Sequence, residues 1–266
     1  MRILISNDDG IFAEGILRLV SSLITLGEIT VVAPDMERSA TGHAITMHHP
    51  LRVKEVKLPG LDVKAWSVDG TPADCVKMGV DVLMDKPPDF IFTGINRGSN
   101  LGTDVLYSGT VSAALEGCIL GFPSAAFSLT AYQDADFTYA GKAARMVAER
   151  IMANPLPKGT LLNVNIPHIP ESEIRGFAVT RLGFRKYSKN YVERKDPRGR
   201  TYYWLAGEAI NDDSLENTDI DAVKSKYVSI TPLHYDLTNY DTINLLGRAF
   251  AMVPEGSRGQ NGNQGI

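Results

Sequence analysis

The chain is predicted to fold as an α/β protein around a doubly wound, Rossmann-like, mostly parallel sheet. Three observations point there. Short β-rich apolar runs alternate with segments of helical periodicity through the first half of the chain, the pattern of a parallel sheet covered by helices. The connections are short enough for right-handed βαβ units. The polar loops that could carry chemistry follow the strands, at the edge where open parallel sheets bind ligands.

The elements follow in order. Arg2–Ser6 reads as a buried strand, Gly15–Leu26 as a helix by its apolar spacing, and Glu28–Ala33 as a second strand. A polar loop runs from Pro34 to about Thr46. Leu51–Leu58 and Val63–Val68 read as a pair of strands. Thr71-Pro72-Ala73-Asp74 is a helix start, with a Thr cap, Pro at the first position and an acid three residues on. Asp89–Ile95 is the next buried strand, followed by a Gly/Asn-rich loop. Thr110–Leu120 is helical and stops at Gly121, with Pro123 just beyond. Ala125–Leu129, the helix Phe137–Met152 and the strand Leu161–Ile166 continue the rhythm. From Gly183 to about Lys226 the sequence turns to Tyr, Lys, Arg and Asp without sustained apolar periodicity. That stretch reads as an excursion, a hairpin with loops around Arg198-Gly199-Arg200. Tyr227–Thr231 recovers strand character, and Tyr240–Leu246 suits a short helix. Residues 255–266, rich in Gly, Gln and Asn, are expected to be disordered.

With 266 residues, 44% of them hydrophobic, the chain can bury a core that needs no disulfide framework. Cys75 and Cys118 match no metal-ligand spacing and read as buried, reduced core residues. The net charge of −4 offers no general attraction to duplex nucleic acid or an anionic membrane. The first residues turn polar at Asn7-Asp8-Asp9, too early for a secretory signal, and no apolar run is long enough to span a bilayer. A cytoplasmic protein is expected.

Three loops are predicted to share the carboxyl edge of the sheet: Asn7-Asp8-Asp9-Gly10, Pro34 through Ser39, and Asn96 through Asp104. Adjacent carboxylates repel unless a cation or proton lies between them. Carboxylate, hydroxyl and amide oxygens together suit a hard ion, Mg²⁺ or Mn²⁺. Alone, Asp-Asp-Gly reads as a turn or a helix cap; with the other two loops at the same edge the ligand reading prevails. Tyr107-Ser108-Gly109-Thr110-Val111 leads into a helix, whose amino end offers N–H groups and a favourable dipole to an anion. Plain capping by Ser108 or Thr110 is an equal reading of that segment. The Gly-rich loop before it lacks the Gly-Lys-Ser/Thr ending of a Walker loop. His43 lies close enough to the Ser39 loop to reach a substrate, but a structural role is the plainer reading. His48 and His49, being adjacent, point apart, and His234 is placed beyond the core strands in a structural role. Arg38 and Arg97 are candidate phosphate contacts; Arg181–Arg194 reads as a solvated basic face.

The runs Ile3-Leu4-Ile5-Ser6-Asn7-Asp8-Asp9-Gly10, Ala33-Pro34-Asp35 through Ser39, and Gly70-Thr71-Pro72-Ala73-Asp74-Cys75 resemble the SurE family of stationary-phase survival proteins. So do Gly94 through Gly102 continuing to Tyr107-Ser108-Gly109-Thr110-Val111, and, further along, Thr180-Arg181-Leu182-Gly183 and Val228 through Leu233. The resemblance spans roughly the first 235 residues. It implies a metal-dependent phosphomonoesterase that hydrolyses nucleoside 5′- and 3′-monophosphates, with polyphosphate as a further substrate of some members. It implies one divalent ion per subunit, Mg²⁺ or Mn²⁺, held by Asp8, Asp9, Ser39 and Asn96. Phosphate contacts are implied from Asn96, Ser108, Gly109 and Thr110, and Asp8 and Asp9 are the candidates for moving the proton of the attacking water. A homodimer or homotetramer with an exchanged carboxyl-terminal segment is also implied. The expected organisation is then a catalytic core over 1–182, a hairpin excursion and oligomerisation segment over 183–254, and the tail. Two rival classes are an aspartyl-phosphate phosphatase with Asp8 as nucleophile and a receiver-type signalling module. The first resembles Asp-x-Asp followed by Gly-Thr, whereas the acids here are adjacent. The second needs a phospho-accepting Asp where this chain offers Asn96.

Overall fold

In the computed structural model, which describes residues 1–188, 191–212 and 214–250, the apolar run Arg2–Ser6 forms β1 at the middle of the central sheet. There follow α1 (Glu14–Leu23), β2 (Glu28–Pro34), β3 (Val53–Glu55), β4 (Lys64–Val68), α2 (Pro72–Met78), β5 (Phe90–Arg97), α3 (Gly109–Ile119), β6 (Ser124–Leu129), α4 (Thr138–Ala153) and β7 (Thr160–Ile166). The later elements are β8 (Phe177–Val179), β9 (Arg185–Tyr187), β10 (Tyr191–Lys195), β11 (Thr201–Leu205), β12 (Ala209–Asn211), α5 (Asp219–Lys224), β13 (Val228–His234) and α6 (Tyr240–Ala249). Met1–Tyr235 folds as one unit, and the described residues from Asp236 to Phe250 belong to a second. The expected tail, 255–266, lies outside the described residues.

Among the described residues the central sheet has nine strands in the order β3-β4-β2-β1-β5-β6-β7-β13-β8. The six from β4 to β7 are parallel, and β3 and β13 run antiparallel to their neighbours β4 and β7. Counted in chain order, the parallel strands follow the 3-2-1-4-5-6 sequence of a dinucleotide-type fold. β1, β2 and β6 are apolar along nearly their whole length because helices cover both faces. On one face α1 buries Ile16, Leu19, Val20 and Leu23, and α4 buries Ala144, Val147, Ala148 and Ile151, in one cluster with Phe92 and Phe127. The other face is covered by α2 and α3, through Cys75, Val76 and Ala113 and through Val111, Ala114 and Cys118. A side chain as fully buried as Phe127 contributes about 1.5–3 kcal/mol relative to exposure. Both cysteines are free and buried, as expected.

The helix start at Thr71 is a full capping box: Thr71 Oγ1 accepts from Asp74 N at 3.1 Å, and the Asp74 carboxylate accepts from Thr71 N at 2.9 Å. Four readings shift. The strand expected over Leu51–Leu58 is confined to Val53–Glu55, the residues that pair with β4 before Pro59-Gly60 turns the chain. β5 runs past Ile95, because after a register shift Asn96 pairs with Ser128 and Arg97 with Leu129; both residues therefore stand on the strand end rather than in the loop. His234 is the last residue of β13, paired with Thr160, rather than beyond the sheet. The excursion holds the hairpin β10–β11 around Arg198-Gly199-Arg200, but also a second pairing, β9 with β12, and the helix α5. The signal for α5 was present, since Thr218 and Asp221 form another capping box.

Asp219, at the start of α5, is buried and accepts three main-chain hydrogen bonds, from Gly102 (2.8 Å), Gly183 (2.8 Å) and Ile220 (2.9 Å). Burial raises its carboxyl above the ordinary range, and these N–H donors pull against that. The loop after β5 and the root of the excursion are thereby joined on one carboxylate.

Candidate active site

The chain leaves β1 toward β2 on one side and leaves β5 toward β6 on the other, so a crevice opens where β1 and β5 lie side by side. Asp8 stands at the end of β1 on the floor of that crevice, 4% exposed. Its Oδ1 accepts a short hydrogen bond from the Thr110 hydroxyl at the start of α3. Gly109 lies directly beneath, where a Cβ would come within 2.8 Å of Asp8 Oδ2. The Asp8 carbonyl accepts from Arg38 N at 2.7 Å, which draws the loop after β2 against it. Burial pushes the Asp8 carboxyl up to about 6; the hydrogen bond from Thr110 opposes this and the charge of Asp9 adds to it. The turn itself is shaped by Asn7, whose Nδ2 donates to Gly10 O at 2.9 Å, and by Gly10 at φ +101°. Asn7 Oδ1 is buried with no hydrogen-bond partner among the described residues.

Asp9 is half-buried, and its Oδ2 accepts from Arg97 N at 3.1 Å, which fixes it to the end of β5. Burial raises its carboxyl, the Arg97 N–H opposes that, and the like charge of Glu37 raises it further. Asn96 precedes Arg97 on the same strand end; its Nδ2 donates to Gly98 O at 2.9 Å, and its Oδ1 is the amide atom that carries lone pairs for a cation. Ser39 is exposed in the loop after β2, where its hydroxyl donates to Glu37 Oε1 at 2.6 Å. Arg38, a candidate for phosphate, is paired with Asp35 at 3.2 Å. Ser108 is the cap of α3: its Oγ accepts from Val111 N at 3.1 Å. The structure thus brings Asp8, Asp9, Gly109 and Thr110 together, with Asn96 on the end of β5 and Ser39 on the loop after β2. It gives the hydroxyls of Ser108, Ser39 and Thr110 definite protein partners.

The donors fit a hard cation. Two carboxylates raised by burial and by neighbouring like charge gain most from a positive ion between them. The other candidates add amide and hydroxyl oxygen, and neither thiol nor imidazole is part of the set. Among the described residues no three His, Cys, Asp or Glu side chains are grouped to hold a metal, so any such site here depends on the Asn and Ser oxygens as well.

Several residues that matter were not singled out from the sequence. Glu37 acts on Asp9 through its charge; its signal was a second acid in the loop that carries Asp35. Asn100 is held by an amide network, its N–H on Asn165 Oδ1 at 2.8 Å and its carbonyl on Asn163 and Asn165. Buried asparagines in the apolar β7 strand were the available sign. His43 is engaged with a buried acid: its Nε2 meets Glu116 at 2.7 Å, and Lys77 reaches the same carboxylate at 3.1 Å.

A sequence model described as survival protein SurE matches residues 3–189. A protein named 5′-nucleotidase SurE from Carboxydothermus hydrogenoformans is 53% identical, over 92% of this chain and 95% of its own. One of the same name from Moorella thermoacetica is 55% identical, over 90% and 92%. The crystal structure of the SurE protein from Aquifex aeolicus superposes with a TM-score of 0.82 at 42% identity, covering 94% of this chain and 100% of that one.

Proposed function

The chain belongs to the survival protein SurE family, and on that premise we propose that it is a 5′-nucleotidase working at the crevice between β1 and β5. The observation that carries this reading is the packing of the Asp8 carboxylate against Gly109 and Thr110, which sets an acidic pair and the amino end of α3 on the same spot. A cation and N–H donors both stabilise the charge of a phosphate monoester as it reacts.

Asp8 and Asp9, with Ser39 and Asn96, would hold a divalent ion of the Mg²⁺ or Mn²⁺ class. Such an ion, when bound, supplies charge neutralisation at phosphate and lowers the pKa of water. Thr110 locks Asp8 in place, and Arg97 N does the same for Asp9. Asp9 is the more open of the two acids and keeps Oδ1 free of the Arg97 bond, so it is the one that accepts the proton of the attacking water. The amino end of α3 faces the phosphate oxygens, where negative charge must be stabilised. Nucleoside 3′-monophosphates and polyphosphate are further substrates in this reading.

The excursion and the segment after it are proposed to serve subunit contact in a dimer or tetramer. What supports this is the run of exposed apolar residues on β10–β11, including Tyr203, Trp204 and Leu205. Among the described residues no helix is long and apolar enough to cross a membrane.

The test is phosphate release from 5′- and 3′-nucleotides and from polyphosphate, after chelation and after return of Mg²⁺ or Mn²⁺. Chelated protein that keeps its circular dichroism but loses turnover, and regains it with either ion, is expected. Full turnover in exhaustively metal-free protein, or an acid-stable phosphoenzyme on Asp8, would overturn the mechanism.

A further inference from the structure

We propose that Tyr132 is the platform on which the nucleobase of the substrate stacks; the proposal rests on the nucleotidase reading. Tyr132 lies in the loop after β6, at the same sheet edge as Asp8, and the residue is 70% exposed. The ring is nonetheless seated. A Cβ built on Gly98 would meet Tyr132 Cε1 at 3.0 Å and Asn96 Nδ2 at 3.7 Å, so the ring edge and the Asn96 amide flank one point. Gly98, at φ +116°, gives up a side chain there, and its N–H bonds Leu129 O at 2.9 Å, tying the two loops together.

The far end of the ring is tethered as well. Tyr132 OH meets Ser99 Oγ at 3.2 Å, and Arg185, paired with Asp104 at 2.8 Å, makes a long 3.5 Å contact to the same Oγ. An aromatic ring held at its edge and its tip, with its face in water, loses little freedom when a flat ligand lands on it. Asn96 borders the phosphate position, and β6 lies on the far side of β5 from β1. A nucleotide with its phosphate at Asp8 and Asp9 therefore reaches Tyr132 by extending past Asn96. Stacking contacts a face every base possesses, so the platform tolerates any nucleobase.

The experiment compares steady-state hydrolysis of AMP with that of ribose 5-phosphate, which carries the same ester and no base. Tyr132→Ala is expected to raise KM for AMP by about tenfold, with kcat unchanged and both constants for ribose 5-phosphate unchanged. The unaltered sugar phosphate also certifies that the variant is folded. Tyr132→Phe, which keeps the ring face, is expected to stay near wild type. Tyr107→Ala is the control, since Tyr107 is 65% exposed beside Ser108 and is not assigned to the base. The proposal is overturned if Tyr132→Ala affects both substrates equally or neither, or if the AMP-selective loss appears with Tyr107→Ala. Failure of the wild type to hydrolyse either substrate is a different result, and it removes the nucleotidase reading together with this one.

Discussion

Gly109 and Asp8 are packed so closely that a Cβ at position 109 would lie 2.7 Å from Asp8 Cβ. The sequence suggests phosphate as the reason for a glycine here; the geometry makes the Asp8 carboxylate the nearer reason. Gly109→Ala is expected to push that carboxylate off the Thr110 hydroxyl. A displacement on the order of 1 Å costs about 100-fold in rate, and Gly109→Val should do more harm. The measurement is kcat at saturating divalent ion for the three proteins; wild-type turnover in Gly109→Ala would mean that Asp8 has slack.

Asp9→Asn separates chemistry from scaffold. The amide oxygen of Asn can still accept from Arg97 N, and the repulsion from Asp8 and Glu37 is relieved. Turnover should fall by about 100-fold or more, while the melting temperature holds or rises. Near-normal turnover would return the acid pair to the role of a turn.

Ser108→Ala tests how much of the α3 amino end is cap. Its Oγ already serves Val111 N, so the variant should lose about 1 kcal/mol of stability. Vanadate inhibition at fixed metal concentration reads the other role. If the inhibition constant is unchanged while the melting temperature drops, Ser108 is a cap alone and the phosphate is held by main-chain groups.

Glu116 predicts part of the acid limb of stability. The hydrogen bond from His43, together with Lys77 and against burial, holds its carboxyl below the ordinary glutamate value of 4.5. A depressed carboxylate contributes stability that is complete above that ordinary value and is lost as pH falls through the lower folded one. Glu116→Gln should therefore be about 1–3 kcal/mol less stable at pH 7, and the gap to wild type should narrow as the solution is acidified below 4.5. Thermal melts of both proteins from pH 7 downward check this; a gap independent of pH would assign the loss to packing.

The core was legible because its signals are local. Buried strands, the Thr71 capping box and the Gly121-Pro123 stop each declare themselves within a few residues, and the strand ends announced the sheet edge that carries Asp8, Asp9 and Asn96. What escaped depends on partners distant in sequence. Nothing near Thr110 says that its hydroxyl is spent on Asp8, and nothing near His43 says that it meets Glu116. The extension of β5 through Arg97 follows a register shift against β6, a property of the pairing rather than of either strand. The strands of the excursion are short and exposed, so they lack the apolar alternation by which strands are read.

The Asp219 carboxylate makes the N–H groups of Gly102 and Gly183 share one acceptor. Neither amide can trade its proton with solvent through this bond until the start of α5 lets go, and letting go releases both. Two stretches remote in sequence thus belong to one opening unit in hydrogen exchange. Any binding event that steadies the excursion would slow exchange at Gly102, in the loop after β5, without touching the crevice itself.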